Sequence, residues 1–256
     1  VRDAATSGLD LRLTWDGTVP VMTFRCRPPG RTRAASWVAP GRARLLLRAA
    51  LLQFPVLWAA AAVGRSPLHA AVLDAGPGGP VLVAGASGAG KTTMVERAAA
   101  AGGRWADDNL GVSDGRTVWG LVEPVRSAHG EGRSAPHGRR ERRLAGRVHS
   151  LDPVAVVLLG RGPVPGVSRV GPEQAARALV AGTYAAGELR RYWPLHAAMA
   201  MGSGAGPAHP AVQETAWSLA SRVPCFAIDL PPGGTSGLGE LLSTTEVGSW
   251  GVGSWG

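Results

Sequence analysis

Val81-Leu82-Val83-Ala84-Gly85-Ala86-Ser87-Gly88-Ala89-Gly90-Lys91-Thr92-Thr93 decides how this 256-residue chain is read. Val81 to Ala84 form a short, wholly apolar strand. Gly85 to Gly90 form a glycine-rich loop, and Lys91 to Ala101 an alanine-rich helix that Gly102-Gly103 brings to a stop. Gly85 to Thr92 fits the pattern G-x-x-x-x-G-K-[ST]. The glycines let the backbone adopt conformations closed to other residues, so that successive N–H groups turn toward phosphate oxygens. The helix that follows adds unpaired donors and a partial positive charge at its start. In this pattern Lys91 neutralises the β- and γ-phosphates, and the Thr92 hydroxyl is placed to ligate Mg²⁺. The expected nucleotide site is therefore Gly85, Ala86, Ser87, Gly88, Ala89, Gly90, Lys91, Thr92 and Thr93.

Two features flank this stretch. Leu68 to Leu73 reads as a strand, and Gly76-Pro77-Gly78-Gly79 turns it back into Val81 to Ala84. Pairing partners in such a hairpin sum to about 155, which sets His69 opposite Gly85 or Ala86, beside the phosphate loop. An imidazole there can act on the transferred group or relay a proton to a carboxylate. Downstream, the short strand Arg104 to Ala106 runs into Asp107-Asp108-Asn109. Ligand groups in open α/β sheets gather at the carboxyl ends of strands, so this acid pair should face the loop. One carboxylate would bind metal and the other accept a proton from an attacking hydroxyl.

Around this centre, strands and helices alternate after residue 80. The strands are Thr117 to Leu121, Val154 to Leu159 and Pro224 to Leu230. The helices are Pro172 to Val180, Glu188 to Met201 (interrupted at Pro194) and Ala211 to Ser221. The fold class expected is α/β, a sheet covered by helices. Residues 1 to about 41 read as short strands and turns, with Leu9, Leu11 and Leu13 alternating with polar residues and a turn at Trp15-Asp16-Gly17. Arg42 to Gly64 is helical and broken at Pro55. Residues 126 to 147, rich in Gly, His and Arg, read as a mobile loop. The expected division is a small N-terminal β/helical region 1–64, a phosphate-loop domain 65–243, and a tail 244–256. The tail carries the direct repeat Val247-Gly-Ser-Trp-Gly251, Val252-Gly-Ser-Trp-Gly256.

Composition narrows the classes. Hydrophobic residues make up 45% and charged residues 18%, which excludes wholesale disorder. Cys26 and Cys225 match no close metal-ligand spacing and no disulfide scaffold. The apolar run Ala49 to Val63 falls short of the roughly 20 residues a bilayer span needs, so a buried helix and no membrane partner are expected. Val1-Arg2-Asp3 begins no signal pattern, and a cytoplasmic location is expected. The net charge is +9, and Lys91 is the sole lysine among 27 basic residues. That balance favours anionic partners such as nucleotides, acidic peptides or nucleic acid. An aromatic-rich basic module of the RNA-recognition kind is missing, which argues against nucleic acid.

Leu68-His69 ahead of a hairpin, the loop Gly85 to Thr92, and Arg104-Trp105-Ala106-Asp107-Asp108-Asn109-Leu110 together resemble the HPr kinase/phosphorylase family. The resemblance is nearest to its smaller relatives, the kinases associated with lasso-peptide biosynthesis, and covers residues 65 to 125 best. It implies a P-loop fold related to phosphoenolpyruvate carboxykinase, with ATP and Mg²⁺ as cofactors. It implies γ-phosphoryl transfer to a serine hydroxyl, with Asp107 as base, Asp108 on the metal and His69 assisting. Lys91 and Arg126 would then balance transferred charge. The Glu-Ile-Arg-Gly signature of the bifunctional enzymes is absent after the acid pair, where Val122-Glu123-Pro124-Val125-Arg126 stands instead. The substrate class implied is accordingly a lasso-peptide precursor with a C-terminal serine rather than the protein HPr. The segment 126 to 147 would close over ATP or hold an acidic leader. Members of the family assemble as oligomers, so a homo-oligomer is allowed. Three other readings compete: a nucleotide-dependent regulatory or binding module, an HPr-type protein serine kinase, or a kinase modifying Ser249 or Ser254 of its own tail.

Overall fold

The computed structural model describes residues 2–3, 8–15, 20–74, 76, 78–128 and 130–231. They form a mixed α/β protein with several sheets, divided into two units. The first comprises Val1–Pro67, Arg126–Arg142 and Tyr184–Ala211; the second comprises Leu68–Val125, Arg143–Thr183 and Val212–Gly256. The N-terminal region thus takes in two later segments besides the one its sequence marks out. The turn at Trp15-Asp16-Gly17 and the repeat tail lie largely or wholly outside the described residues.

In the first unit, Leu9–Trp15 and Pro20–Cys26 pair antiparallel, Leu9 opposite Cys26. The alternation of the first strand buries Leu9 and Leu11. Gly30–Val38 is a helix, not the strand-and-turn expected there. Pro28-Pro29 precedes it, and a proline pair outside a helix start ends only what comes before. Pro40–Arg48 continues as a π-helical turn, Ala49–Gln53, and then as Phe54–Ala62. The break expected at Pro55 therefore takes the form of a widened turn just ahead of it. The proline ring cannot sit over a regular preceding turn and supplies no N–H, and a π segment relieves both. Pro40–Ala62 is, by length and composition, long and apolar enough to cross a membrane; 39% of its most apolar window is buried. Leu57 and Trp58 are fully buried, and Phe54 packs against Tyr192 of the helix Tyr192–Ser203 with ring centroids 5.9 Å apart. Pro194 falls in the first turn of that helix and does not interrupt it.

The arginine-rich stretch after residue 125 is not a loop. Arg133–Ser134, Arg140–Arg142 and Val125–Ser127 form a small sheet in that order, with a 3₁₀ turn at Pro136–Gly138. Main-chain pairing and the Arg48–Glu141 ion pair, 2.8 Å long, order a segment whose side chains have little to bury.

The second unit is built on six strands. Their order is Gly166–Val170, Cys225–Leu230, Ala155–Arg161, Pro80–Gly85, Ala70–Asp74, Trp105–Asp107. The three central strands from Cys225–Leu230 to Pro80–Gly85 are parallel; the other neighbours run antiparallel. Val81, Val83, Val157 and Ile228 project into one core with Met94 and Val95 of the helix Lys91–Ala100. That helix ends in paired bonds from Gly102 N–H to Ala99 and from Gly103 N–H to Ala98, the glycine stop expected at this point. Pro172–Ala185 and Val212–Arg222 complete the helices.

Candidate functional site

Strand direction assembles the site. Ala70–Asp74 runs antiparallel to both Pro80–Gly85 and Trp105–Asp107, so its start and their ends share one edge of the sheet. Ala70 stands opposite Ala84 and Ala71 opposite Val83, partners that total 154 against the expected 155 or so. The pairing begins at Ala70, so the strand expected from Leu68 to Leu73 is divided: His69 stands between Ala70–Asp74 and Ser66–Leu68, which belongs to a second, four-stranded sheet. The glycine-rich loop and the acid pair therefore lie at one end of the sheet, with His69 just ahead of the strand between them, although they are spread over 40 positions of sequence (69 to 108).

The loop has the shape its glycines permit. Gly90, at φ 118°, caps the helix Lys91–Ala100 in a conformation an L side chain seldom adopts. A Cβ on Gly85 would stand 2.6 Å from the Leu159 carbonyl oxygen of the neighbouring strand, so only glycine fits there. Ala86, Ser87 and Gly88 form the exposed tip. Lys91 is buried, its ammonium donating to the carbonyls of Gly85 at 2.7 Å and Ala86 at 3.3 Å, which holds the charge inside the curve of the loop. Thr92, half-buried, donates its hydroxyl to Oδ2 of Asp108 at 3.1 Å; Thr93 is exposed.

The two acids differ sharply. Asp108 turns toward Thr92. Asp107 is buried, and its carboxylate faces its own loop: Oδ1 accepts from the backbone N–H groups of Asn109 and Leu110, and Oδ2 from that of Leu121, each at 2.8 Å. Burial first, and the neighbouring charge of Asp108 second, push the Asp107 carboxyl up to about 8, against the pull of those three N–H groups. The segment that brings Leu121 to it is held by Arg147, whose guanidinium donates to the Leu121 and Glu123 carbonyls and lies 4.8 Å over the Trp105 ring. His69 joins through Asn109: its Nε2 lies 3.0 Å from the Asn109 Oδ1, and its backbone N–H donates to Thr183 Oγ1 at 3.1 Å. Asn109 thus touches both: its side-chain oxygen meets the imidazole and its main-chain N–H the Asp107 carboxylate.

Sequence singles out Arg126 but not Arg161. Arg126 lies in the first unit, where it pairs with Glu188 at 3.3 Å. Arg161 was not singled out by sequence. It ends the strand beside Pro80–Gly85, where Leu159 is already opposite Gly85, and its guanidinium donates to the Gly88 carbonyl at 3.1 Å. Its only local signal is a position just past an apolar strand.

The residues present suit a magnesium nucleotide. Among the described residues no three His, Cys, Asp or Glu side chains gather into a metal cage. Mg²⁺ usually needs only one or two carboxylates with a hydroxyl, phosphates and water, and Asp108 beside Thr92 offers the carboxylate and the hydroxyl of such a set. Comparison of the chain with known protein-family models and with curated proteins finds no match.

Proposed function

We propose that the chain is an ATP-dependent kinase of the HPr kinase-like P-loop class, transferring the γ-phosphoryl group to a serine hydroxyl of a peptide. The observation that carries the reading is the contact between Thr92, at the start of the phosphate-loop helix, and Asp108. It joins a polyphosphate cradle to one acid of the pair, the arrangement a metal-bound nucleotide needs. Bound Mg²⁺ would supply charge neutralisation on the phosphates, held by Thr92 and Asp108. Lys91 carries the fixed positive charge inside the loop. In its ionised form, favoured as pH rises toward 8, Asp107 takes the serine proton on Oδ2, which accepts a single N–H and keeps one acceptor position open. His69 holds the side chain of Asn109, the residue whose main-chain N–H meets that acid. Phosphoryl transfer of this kind needs positioning and charge neutralisation more than covalent participation, and these groups provide both. A peptide ending in serine, as in lasso-peptide precursors, is the acceptor class this reading favours.

The test is direct. Incubation with ATP, Mg²⁺ and serine-terminated peptides should add one phosphate to the peptide, seen by mass spectrometry. Nucleotide binding without transfer to any serine peptide would leave a nucleotide-dependent regulatory module instead.

Arg161 gives a second measurement. Its exposed guanidinium at the loop tip can reach an outer phosphate oxygen, and one charge-assisted hydrogen bond is worth about 1.5–3 kcal/mol. Arg161→Gln is expected to lower kcat about 10- to 100-fold. An unchanged kcat would make Arg161 a brace for the Gly88 carbonyl alone.

A further inference from the structure

The first unit contains a cleft of about 790 Å³, within the range of ligand sites. Its lining carries six guanidinium groups, those of Arg42, Arg44, Arg48, Arg126, Arg190 and Arg191, and one carboxylate, Glu188. These residues all belong to that unit. They come from three separate stretches of sequence: the helix Pro40–Arg48, the segment starting at Arg126, and the turn before Tyr192–Ser203.

Two of the six already hold carboxylates. Arg48 grips Glu141 through both nitrogens, at 2.8 and 3.3 Å, and Arg126 holds Glu188 at 3.3 Å. Arg44 donates to the Ser134 carbonyl at 3.4 Å. Arg42, Arg190 and Arg191 are exposed, and no carboxylate among the described residues pairs with them. With Glu141 and Glu188 counted, four positive charges remain in surplus around one hollow. Like charges crowded there repel, and a bound polyanion relieves that repulsion.

The lining also says which polyanion fits. Leu45, Leu46 and Phe54 give the cleft an apolar floor. Phe54 is the sole aromatic among the described lining residues, so the stacking platforms of a single-stranded nucleic-acid channel are lacking. Guanidinium forks match carboxylates in bidentate fashion, as Arg48 does with Glu141. We infer that this cleft binds a peptide segment carrying aspartate or glutamate side chains interspersed with apolar ones. That the same peptide supplies the acceptor serine rests on the kinase reading; the binding itself does not.

The experiment uses the full chain without nucleotide. Fluorescence anisotropy compares a labelled serine-terminated peptide containing several Glu and Leu residues with its Gln counterpart. The acidic peptide is expected to bind at least about tenfold more tightly, and to weaken as salt rises through the physiological range. Arg190→Gln/Arg191→Gln should cost the acidic peptide about tenfold and leave the neutral one unchanged. Both side chains are exposed, and an unaltered melting temperature confirms that the fold is kept; Arg42→Gln repeats the test from the other wall. Equal binding of the two peptides, or indifference to these substitutions, overturns the inference. So does displacement of the acidic peptide by inorganic phosphate or by single-stranded DNA at lower concentration than by unlabelled peptide. Transfer assays with the same two peptides keep the readings apart. Arginine-dependent binding without phosphorylation sinks the kinase alone, whereas phosphorylation of both peptides with equal KM sinks the cleft alone.

Discussion

Lys91→Met is expected to lower phosphoryl transfer by about 10²- to 10³-fold, the usual effect of removing one preorganised charge from a transfer site. Lys91 is buried, and its ammonium spans the loop between the Gly85 and Ala86 carbonyls. Methionine keeps most of the volume, so the loss measured is that of the charge. The loop itself should persist. It is closed by the Ala89 N–H on the Ala86 carbonyl at 3.1 Å and by the helix capped at Gly90, neither of which involves the side chain. The melting temperature should therefore change little while ATP affinity falls about 10-fold or more, as for the loss of a charge-assisted hydrogen bond. Lys91→Arg should fare no better, because a planar fork cannot replace a compact ammonium between two carbonyls. Steady-state kinetics and nucleotide titration check both. Full activity in Lys91→Met would show that the loop does not handle the transferred phosphate.

The parts of this site that sequence reveals are those written in local pattern. The strand–loop–helix from Pro80 to Ala100 is contiguous, and each piece has its own signal: an apolar run, glycines, then a helix former series ended by Gly102-Gly103. The hairpin was also legible, because a tight turn fixes register by simple counting, and the pairing observed from Ala70 onward is within one of the expected one. Arg161 was not legible. It reaches the loop only because Ala155–Arg161 pairs with Pro80–Gly85, a parallel contact made across some 70 residues of chain. The Arg-rich stretch misled for the opposite reason: its strands are held by main-chain pairing, which leaves no apolar period to read. Composition likewise hinted at anionic partners but not at where the charge collects. The cleft draws Arg42, Arg126 and Arg190 from segments that only the fold of the first unit unites.

Asp107→Asn is the sharper experiment on the acid pair, since it should reduce turnover and stability together. As the base it contributes about 10²- to 10⁴-fold, and the amide cannot take a proton. Its structural part follows from the three N–H donors it accepts. Asparagine offers one oxygen. Placed toward Asn109 and Leu110, it leaves the amide nitrogen facing the Leu121 N–H, donor against donor, at a cost of about 1–3 kcal/mol. Even a protonated acid avoids this, because its hydroxyl oxygen still accepts. For a chain of this size the melting temperature should fall by roughly 3–10 °C. The gap from wild type should also depend on pH. The Asp107 carboxyl is raised in the folded protein from an ordinary 3.8 to about 8. Its contribution to stability is therefore complete below pH 4 and lost as pH climbs through 8. In magnesium-free buffer, the wild type should lose its advantage over Asp107→Asn between pH 5 and 7, by up to about 1.4 kcal/mol per pH unit. Asp108→Asn removes the neighbouring negative charge, so that loss should end at a lower pH and be smaller in total, while the N–H bonds of Asp107 stay intact. Turnover by Asp107→Asn with the same thermal deficit would strip Asp107 of the base role and leave it as the clamp between Leu110 and Leu121.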